Sequence, residues 1–485
     1  MFRPGPLLLT LVGLLALVQS AGALELEDCR ISAGPSFPGI KARCGKLSRH
    51  ENPDDESSPL IELKVAVVPA LNLKPAPDPV VPIAGGPGQG TVQFYAAYAN
   101  AFEPLRKDHD ILLVDQRGTG ESARMDCPVD DELVEGLYST DQTLEFTKEC
   151  LASLPHDPRY FTTSIAVRDL DAVREALGYP TLNVYGISYG SRVAQHYARR
   201  YPATTRSVVL DGVVPPLLPL GPDIALESQR ALDDIFARCS DDEACKEHFG
   251  DVATSFDELM LKLDEKPLKV RIANPVTGEF ESVRFGHNEM AAALRLLAYS
   301  PGTVALIPLL ITEAANGHIR PLVAQFQMTV SSLSEAISLG MHNAVMCTED
   351  VPYYDQLAID KDAIGATYMG LLQLDALQAI CSVWPVGVID DNLRTPLATD
   401  IPVLLLSGSA DPITPPRYAD MAARNLMKAW LLTGKNQGHG QIAVGCMPRI
   451  VEDFVAAASL DGVDTDCIKT SFVMPFFLDF AGPAP

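Results

Sequence analysis

The chain has 485 residues, 47% hydrophobic and 21% charged, a balance typical of globular proteins and not of disordered or fibrous ones. Its formal net charge of −24 argues against nucleic acid as a partner, because nothing in it would displace counterions from phosphates. The length suits one large domain with an insertion, or two domains.

In chain order, a leader comes first. Arg3 supplies a short positive region, the run 7–18 is apolar, and Ala21-Gly22-Ala23 forms an A-x-A cleavage site. The apolar run is shorter than the roughly 20 residues that cross a bilayer. A signal peptide over 1–23 is expected, with the mature chain starting at Leu24. No later apolar run is long enough for a membrane helix. The expectation is an exported protein, periplasmic or secreted, with no membrane attachment after cleavage.

"SRHENPDDESSP" (48–59) reads as a loop and "LIELKVAVVPA" after it as a strand. "PVVPIAGGPGQG" (79–90) and "HDILLVDQRGTGES" (109–122) share one plan, an apolar strand running into a glycine turn. In 164–178, Ala166, Leu170, Val173 and Leu177 fall at helical spacing, with a start at Thr163 or Ser164 and a stop at Gly178. A strand (182–187), a helix (191–201) and a strand (206–212) follow. Between about 216 and 396 long helical patterns dominate, interrupted by a hairpin-like piece at 268–285. The strand–helix plan resumes with a strand at 402–407, another at 428–434 and a helix over 441–458. Apolar strands alternating with helices predict a mostly parallel, doubly wound α/β sheet covered on both faces. The expected division is 1–23 leader, 24–215 first part of the core, 216–396 mainly helical cap insertion and 397–485 C-terminal part of the core.

Export changes how the ten cysteines are read. An even count predicts disulfides, and the simplest scheme pairs neighbours: Cys29 with Cys44, Cys127 with Cys150, Cys239 with Cys245, Cys347 with Cys381 and Cys446 with Cys467. Each bridge closes a short loop and adds about 2–4 kcal/mol. Neither C-x-x-C nor H-E-x-x-H occurs, so no metal or cofactor is expected.

"NVYGISYGSR" (183–192) carries G-x-S-x-G around Ser188. The strand before it and the helix after it are the context in which such a serine is exposed on a sharp turn as a nucleophile. Gly186 and Gly190 leave room for the helix to pack close to the strand. A serine hydroxyl needs a base, and the base an orienting carboxylate. On a doubly wound hydrolase sheet they follow in the order Ser, acid, His. His439, in "GKNQGHGQ" after the strand 428–434, is the histidine beyond the late acid Asp411. Asp411 sits in "GSADPITPP", where Asp-Pro also forms turns. Asp211, in "LDG" at the end of its strand, is the second candidate acid. An oxyanion would be met by the N–H groups of Tyr189 and Gly86, with Gly85 as the alternative to the latter.

Together "GGPGQG", "DQRGTGES", "YGISYGSRVAQHYARRYP", "RSVVLDGVVPP" and "SGSADPITPP…GHG" resemble the secreted α/β-hydrolases of the tripeptidyl and prolyl aminopeptidase group. The stretch with Cys446 and Cys467 is similar to that group's C-terminal, TAP-like module. The resemblance covers nearly the whole mature chain, loosely through the cap. It implies an α/β-hydrolase core, a helical cap, a Ser188–Asp411–His439 triad and release of residues from the free N-terminus of peptides. Ala84 stands where proline iminopeptidases often have His, a departure toward the tripeptidyl branch. Asp115 and Arg117 in "DQRGTGES" are expected to be structural, pinning the neighbouring glycine turn. An exopeptidase must also recognise an α-amine, and Glu349 and Asp350 in "VMCTEDVPYY" are the candidate acceptors. Two other functions fit the same residues: a carboxylesterase using this triad, and an inactive hydrolase fold used for binding.

Overall fold

The computed structural model describes residues 24–34, 37–127, 140–275 and 277–483; the leader over 1–23 lies outside the described residues. Its strands are β1 (Glu27–Ile31), β2 (Ile40–His50), β3 (Leu60–Val68), β4 (Val80–Ile83), β5 (Ile111–Val114), β6 (Leu182–Ile187), β7 (Thr205–Asp211), β8 (Leu268–Ala273), β9 (Phe280–Phe285), β10 (Val403–Gly408), β11 (Ala429–Gly434), β12 (Phe477–Asp479) and β13 (Gly482–Pro483). Nine of them form one sheet in the order β1-β2-β3-β5-β4-β6-β7-β10-β11. Every pair from β5 to β11 is parallel, and β1, β2 and β3 join antiparallel at one edge.

Alternate residues of the central strands enter two cores, as the period of two requires. Val65, Val81, Val184, Leu210 and Leu405 face the helices Thr163–Leu177 and Tyr189–Arg200. Ala66, Val80, Leu113, Tyr185, Val209 and Leu406 face the helices Thr91–Arg106 and Met447–Ala457. Strands sealed on both faces account for the unbroken apolar runs in the sequence. Between β7 and β10 the chain runs through helices and the β8–β9 hairpin, and this segment has its own core of Leu232, Phe256, Phe285, Leu294, Ile311 and Phe326. Phe476, beyond the last strand of the sheet, is buried in that second core, and Phe477 N–H donates to Ala305 O at 3.0 Å.

The structure differs from the sequence reading at three places. No strands were expected over 27–50, yet β1 forms the sheet edge there with β2 beside it; both are mostly exposed or half-buried, and β2 carries Lys41, Arg43, Lys46 and Arg49. The helix after Ser188 begins at Tyr189, two residues early. The last long helix begins at Met447 instead of 441, because Gln441 and Ile442 give their N–H groups to the Asp211 carboxylate.

The five bridges join Cys29–Cys44, Cys127–Cys150, Cys239–Cys245, Cys347–Cys381 and Cys446–Cys467. The first staples β1 to β2, and the second and fourth meet in one small core with Trp384. No helix among the described residues is long and apolar enough to cross a membrane.

Candidate active site

Ser188 lies between the end of β6 and the helix Tyr189–Arg200, with φ 55° and ψ −129°. A serine rarely adopts positive φ, and such strain persists only where the surroundings enforce it. Here they do. Ser188 N–H donates to Asp211 O at 2.8 Å, and its carbonyl accepts from both Ser191 N–H and Ser191 Oγ. The flanking glycines are needed for close approach: a Cβ on Gly186 would stand 2.2 Å from Gly190 O, and one on Gly190 would stand 2.3 Å from Ile83 O. The helix therefore packs directly onto the backbone of β4 and β6.

The glycine turn after β4 sits beside the serine. A Cβ on Gly85 would lie 3.0 Å from Ser188 Cβ. Among the described residues neither Gly86 N–H nor Tyr189 N–H donates to an acceptor, so both remain available for an oxyanion. The turn is braced from two directions. Asp115 accepts Val92 N–H and Glu121 N–H, each at 2.9 Å, which fixes the start of the helix after the turn. From the inserted segment, Ser338 N–H donates to Gly88 O at 2.9 Å. Arg117 does not reach this turn. It is fully buried and bonds Asp169 at 2.6 and 2.9 Å and the carbonyls of Glu51 and Tyr160, locking the helix Thr163–Leu177 to the sheet.

Asp411 follows β10 and is completely buried. Its Oδ1 accepts the N–H groups of Ile413 and Thr414, and its Oδ2 accepts Thr414 Oγ1 at 2.7 Å and His439 Nδ1 at 2.8 Å. The turn-forming and histidine-orienting tasks fall to the same carboxylate. With Nδ1–H donated to Asp411, the other imidazole nitrogen, Nε2, is the basic one. Burial disfavours the Asp411 carboxylate, but His439 and the backbone donors outweigh it and hold its pKa below the ordinary range. For His439, burial opposes the imidazolium, while the charge and hydrogen bond of Asp411 outweigh it and raise the pKa above 6.5.

Ser188 and His439 are packed onto the same strand ends. A Cβ on Gly212 would lie 3.0 Å from His439 Cε1, and one on Gly440 would lie 2.9 Å from Ile187 Cδ1. No hydrogen bond joins the two side chains in this resting geometry; in substrate-free hydrolases that contact is commonly long and tightens on binding. Asp211, the second candidate acid, is not the imidazole's partner. Its buried carboxylate takes Tyr185 Oη at 2.7 Å and the N–H groups of Gln441 and Ile442, and burial raises its pKa. It anchors the loop that carries His439 to the strand that supports Ser188.

Glu349 and Asp350 have a different task from the one expected. Both are fully buried, and their oxygens are already committed. Asp350 pairs with Arg192 at 2.9 and 3.0 Å and accepts Leu220 N–H; Glu349 accepts Thr163 N–H and Thr163 Oγ1. Thr163 Oγ1 in turn meets Tyr189 Oη at 2.6 Å. The two carboxylates buttress the helix that begins at Tyr189, and both are sealed from the surface by the groups they bind.

The residue that sequence reasoning missed is Tyr299, from the inserted segment. Its carbonyl accepts His439 N–H at 2.8 Å, and its ring meets the imidazole edge-on with centroids 5.2 Å apart. Nothing in the helical pattern around it marks this contact. Among the described residues no group of three or more His, Cys, Asp or Glu is arranged to hold a metal.

Two family models match the chain: "alpha/beta hydrolase fold" over residues 78–238 and "TAP-like protein" over 367–467. The putative hydrolase YuaR of Escherichia coli K12 is 28% identical over 51% of this chain and 54% of its own length, so the match spans about half of that relative. The serine protease Hip1 of Mycobacterium tuberculosis H37Rv is 24% identical over 90% of this chain and 89% of its own. The tripeptidyl aminopeptidase of Streptomyces lividans is 24% identical over 79% of this chain and 75% of its own.

Proposed function

We propose that this chain, which belongs to the α/β-hydrolases of the TAP-like group, is an exported serine peptidase that releases residues from the free N-terminus of peptides. Ser188 Oγ attacks the scissile carbonyl and its proton passes to His439 Nε2. The oxyanion is met by the N–H groups of Gly86 and Tyr189, and the leaving amine takes the proton back. Water activated by the same imidazole then releases the acyl group. Asp411 holds the imidazole in register and stabilises its charged form. The segment 216–396 acts as a cap over the strand ends and limits access to chain termini. Relatives named as a serine protease and a tripeptidyl aminopeptidase favour peptides as substrates. The leader and five disulfides favour export.

The observation that carries this reading is the 2.8 Å Asp411–His439 pair on the strand ends that support a serine at φ 55°. Its test is a fluorophosphonate probe together with matched free and N-acetylated peptides, products read by mass spectrometry. The probe is expected to label the wild type and not Ser188→Ala, and only the free peptides are expected to shorten from the N-terminus. Labelling with ester turnover but no peptide cleavage would leave a carboxylesterase. No labelling at all would leave a binding protein.

A further inference from the structure

The helix His287–Leu297 and the turn after it present two faces. Met290, Ala293, Leu294 and Leu297 fill the core of the inserted segment. Asn288, Ala292, Arg295 and Tyr299, at spacings of three and four, form a half-buried stripe. Tyr299 ends that stripe against the His439 ring. One turn earlier, Arg295 Nη2 donates to Tyr299 Oη at 3.3 Å, and the guanidinium carbon lies 5.9 Å from the tyrosine ring centroid.

Arg295 Nε is buried without a hydrogen-bond partner, and the side chain enters no ion pair among the described residues. That is unexpected in a chain with 62 acidic and 38 basic residues. Leaving a partly desolvated cation unpaired costs stability. The fully buried Arg117 and Arg192 each have a carboxylate, Asp169 and Asp350, and the half-buried Arg199 and Arg394 donate to backbone carbonyls, whereas Arg295 has only Tyr299 Oη among the described residues. The geometry that ties the guanidinium to the site runs through Tyr299, which bonds Arg295 with its hydroxyl and packs its ring on the His439 imidazole.

We propose that Arg295, with Tyr299 Oη beside it, is the subsite for a carboxylate on the leaving-group side of the substrate: the C-terminal carboxylate of a short peptide or an acidic side chain there. The inference rests on the peptidase reading above. The leaving-group side is part of the proposal: His439 returns its proton to the leaving amine, and Tyr299 packs on that imidazole. A planar guanidinium with unfilled donors suits a carboxylate, which accepts two parallel hydrogen bonds.

The test compares kcat/KM for matched peptides in wild type and in Arg295→Gln. One pair differs only in a C-terminal carboxylate or amide; a second differs only in Glu or Gln at the first residue of the leaving group. The wild type is expected to favour the carboxylate member of at least one pair by about 10- to 100-fold, mainly through KM. In Arg295→Gln that ratio falls toward one. Whichever pair shows the preference identifies the source of the carboxylate. Equal rates for both members of both pairs in the wild type would overturn the inference, and need no variant to observe. Fluorophosphonate labelling separates the two readings: labelled enzyme without a carboxylate preference ends this inference alone, whereas absent labelling ends the peptidase reading.

Discussion

Asp411 with His439 and Asp350 with Arg192 are built alike. Both carboxylates are completely buried, both accept backbone N–H groups, and each meets a nitrogen base at close range, 2.8 Å and 2.9 Å. They differ in what the partner can do. An imidazole gives up and recovers a proton near neutral pH; a guanidinium does not. They differ also in place: His439 sits on the loop after β11 against Gly212 at the end of β7, whereas Arg192 lies in the first turn of the helix after Ser188 and is buried against Asp350. A buried acid beside a cation therefore does not mark a catalytic site by itself. The titration range of the partner decides what the pair can do.

Three experiments would break or sharpen that comparison. The largest effect is expected at the first pair. Ser188→Ala should lower kcat by about five to six orders of magnitude, and Asp411→Asn by about four, with circular dichroism unchanged. In the wild type the acid limb of kcat/KM should lie above pH 6.5, since Asp411 raises the His439 pKa and the base acts only when neutral. Residual activity in Asp411→Asn should show that limb at lower pH.

The second pair should answer in stability. Arg192→Met strands the Asp350 carboxylate in the interior and is expected to cost about 3–5 kcal/mol in chemical denaturation. Adding Asp350→Leu should recover much of that loss. A single variant as stable as wild type would mean the pair holds nothing together.

The smallest effect concerns Glu349. Burial pushes its pKa up to about 7 from an ordinary 4.5, against the opposing pull of Arg192 and Thr163. A carboxyl that binds its proton more tightly when folded stabilises fully below the unfolded value, and this contribution fades as pH rises through the folded one. The thermal midpoint should therefore fall between about pH 4.5 and about pH 7, and Glu349→Gln should flatten part of that fall. An unchanged slope would assign the pH response to other groups.

Much of the fold was legible because the strands of the sheet centre are sealed on both faces and must read as apolar runs, as in "ILLV" and "VLLLSG". The strands β1 and β2 were not legible, since half-exposed strands at that end of the sheet carry no such run. At the site, Ser188, Asp411 and His439 stood out because each follows a readable strand. Glu349 and Asp350 were read as a ligand acceptor, because sequence shows two acids in a row and not the Arg192 and Thr163 that face them.

From the order of residues alone came the alternation of strands and helices, the glycines at the serine turn and the cysteines as neighbouring pairs. These are local: period, turn chemistry and short loop closures act between residues close along the chain. The pairing of Asp350 with Arg192, the grip of Asp211 on Gln441 and the seating of Tyr299 against His439 belonged to the tertiary structure. Those contacts join residues 140 to 230 positions apart, and pairing at that range is settled by how the layers pack, which no short-range pattern encodes.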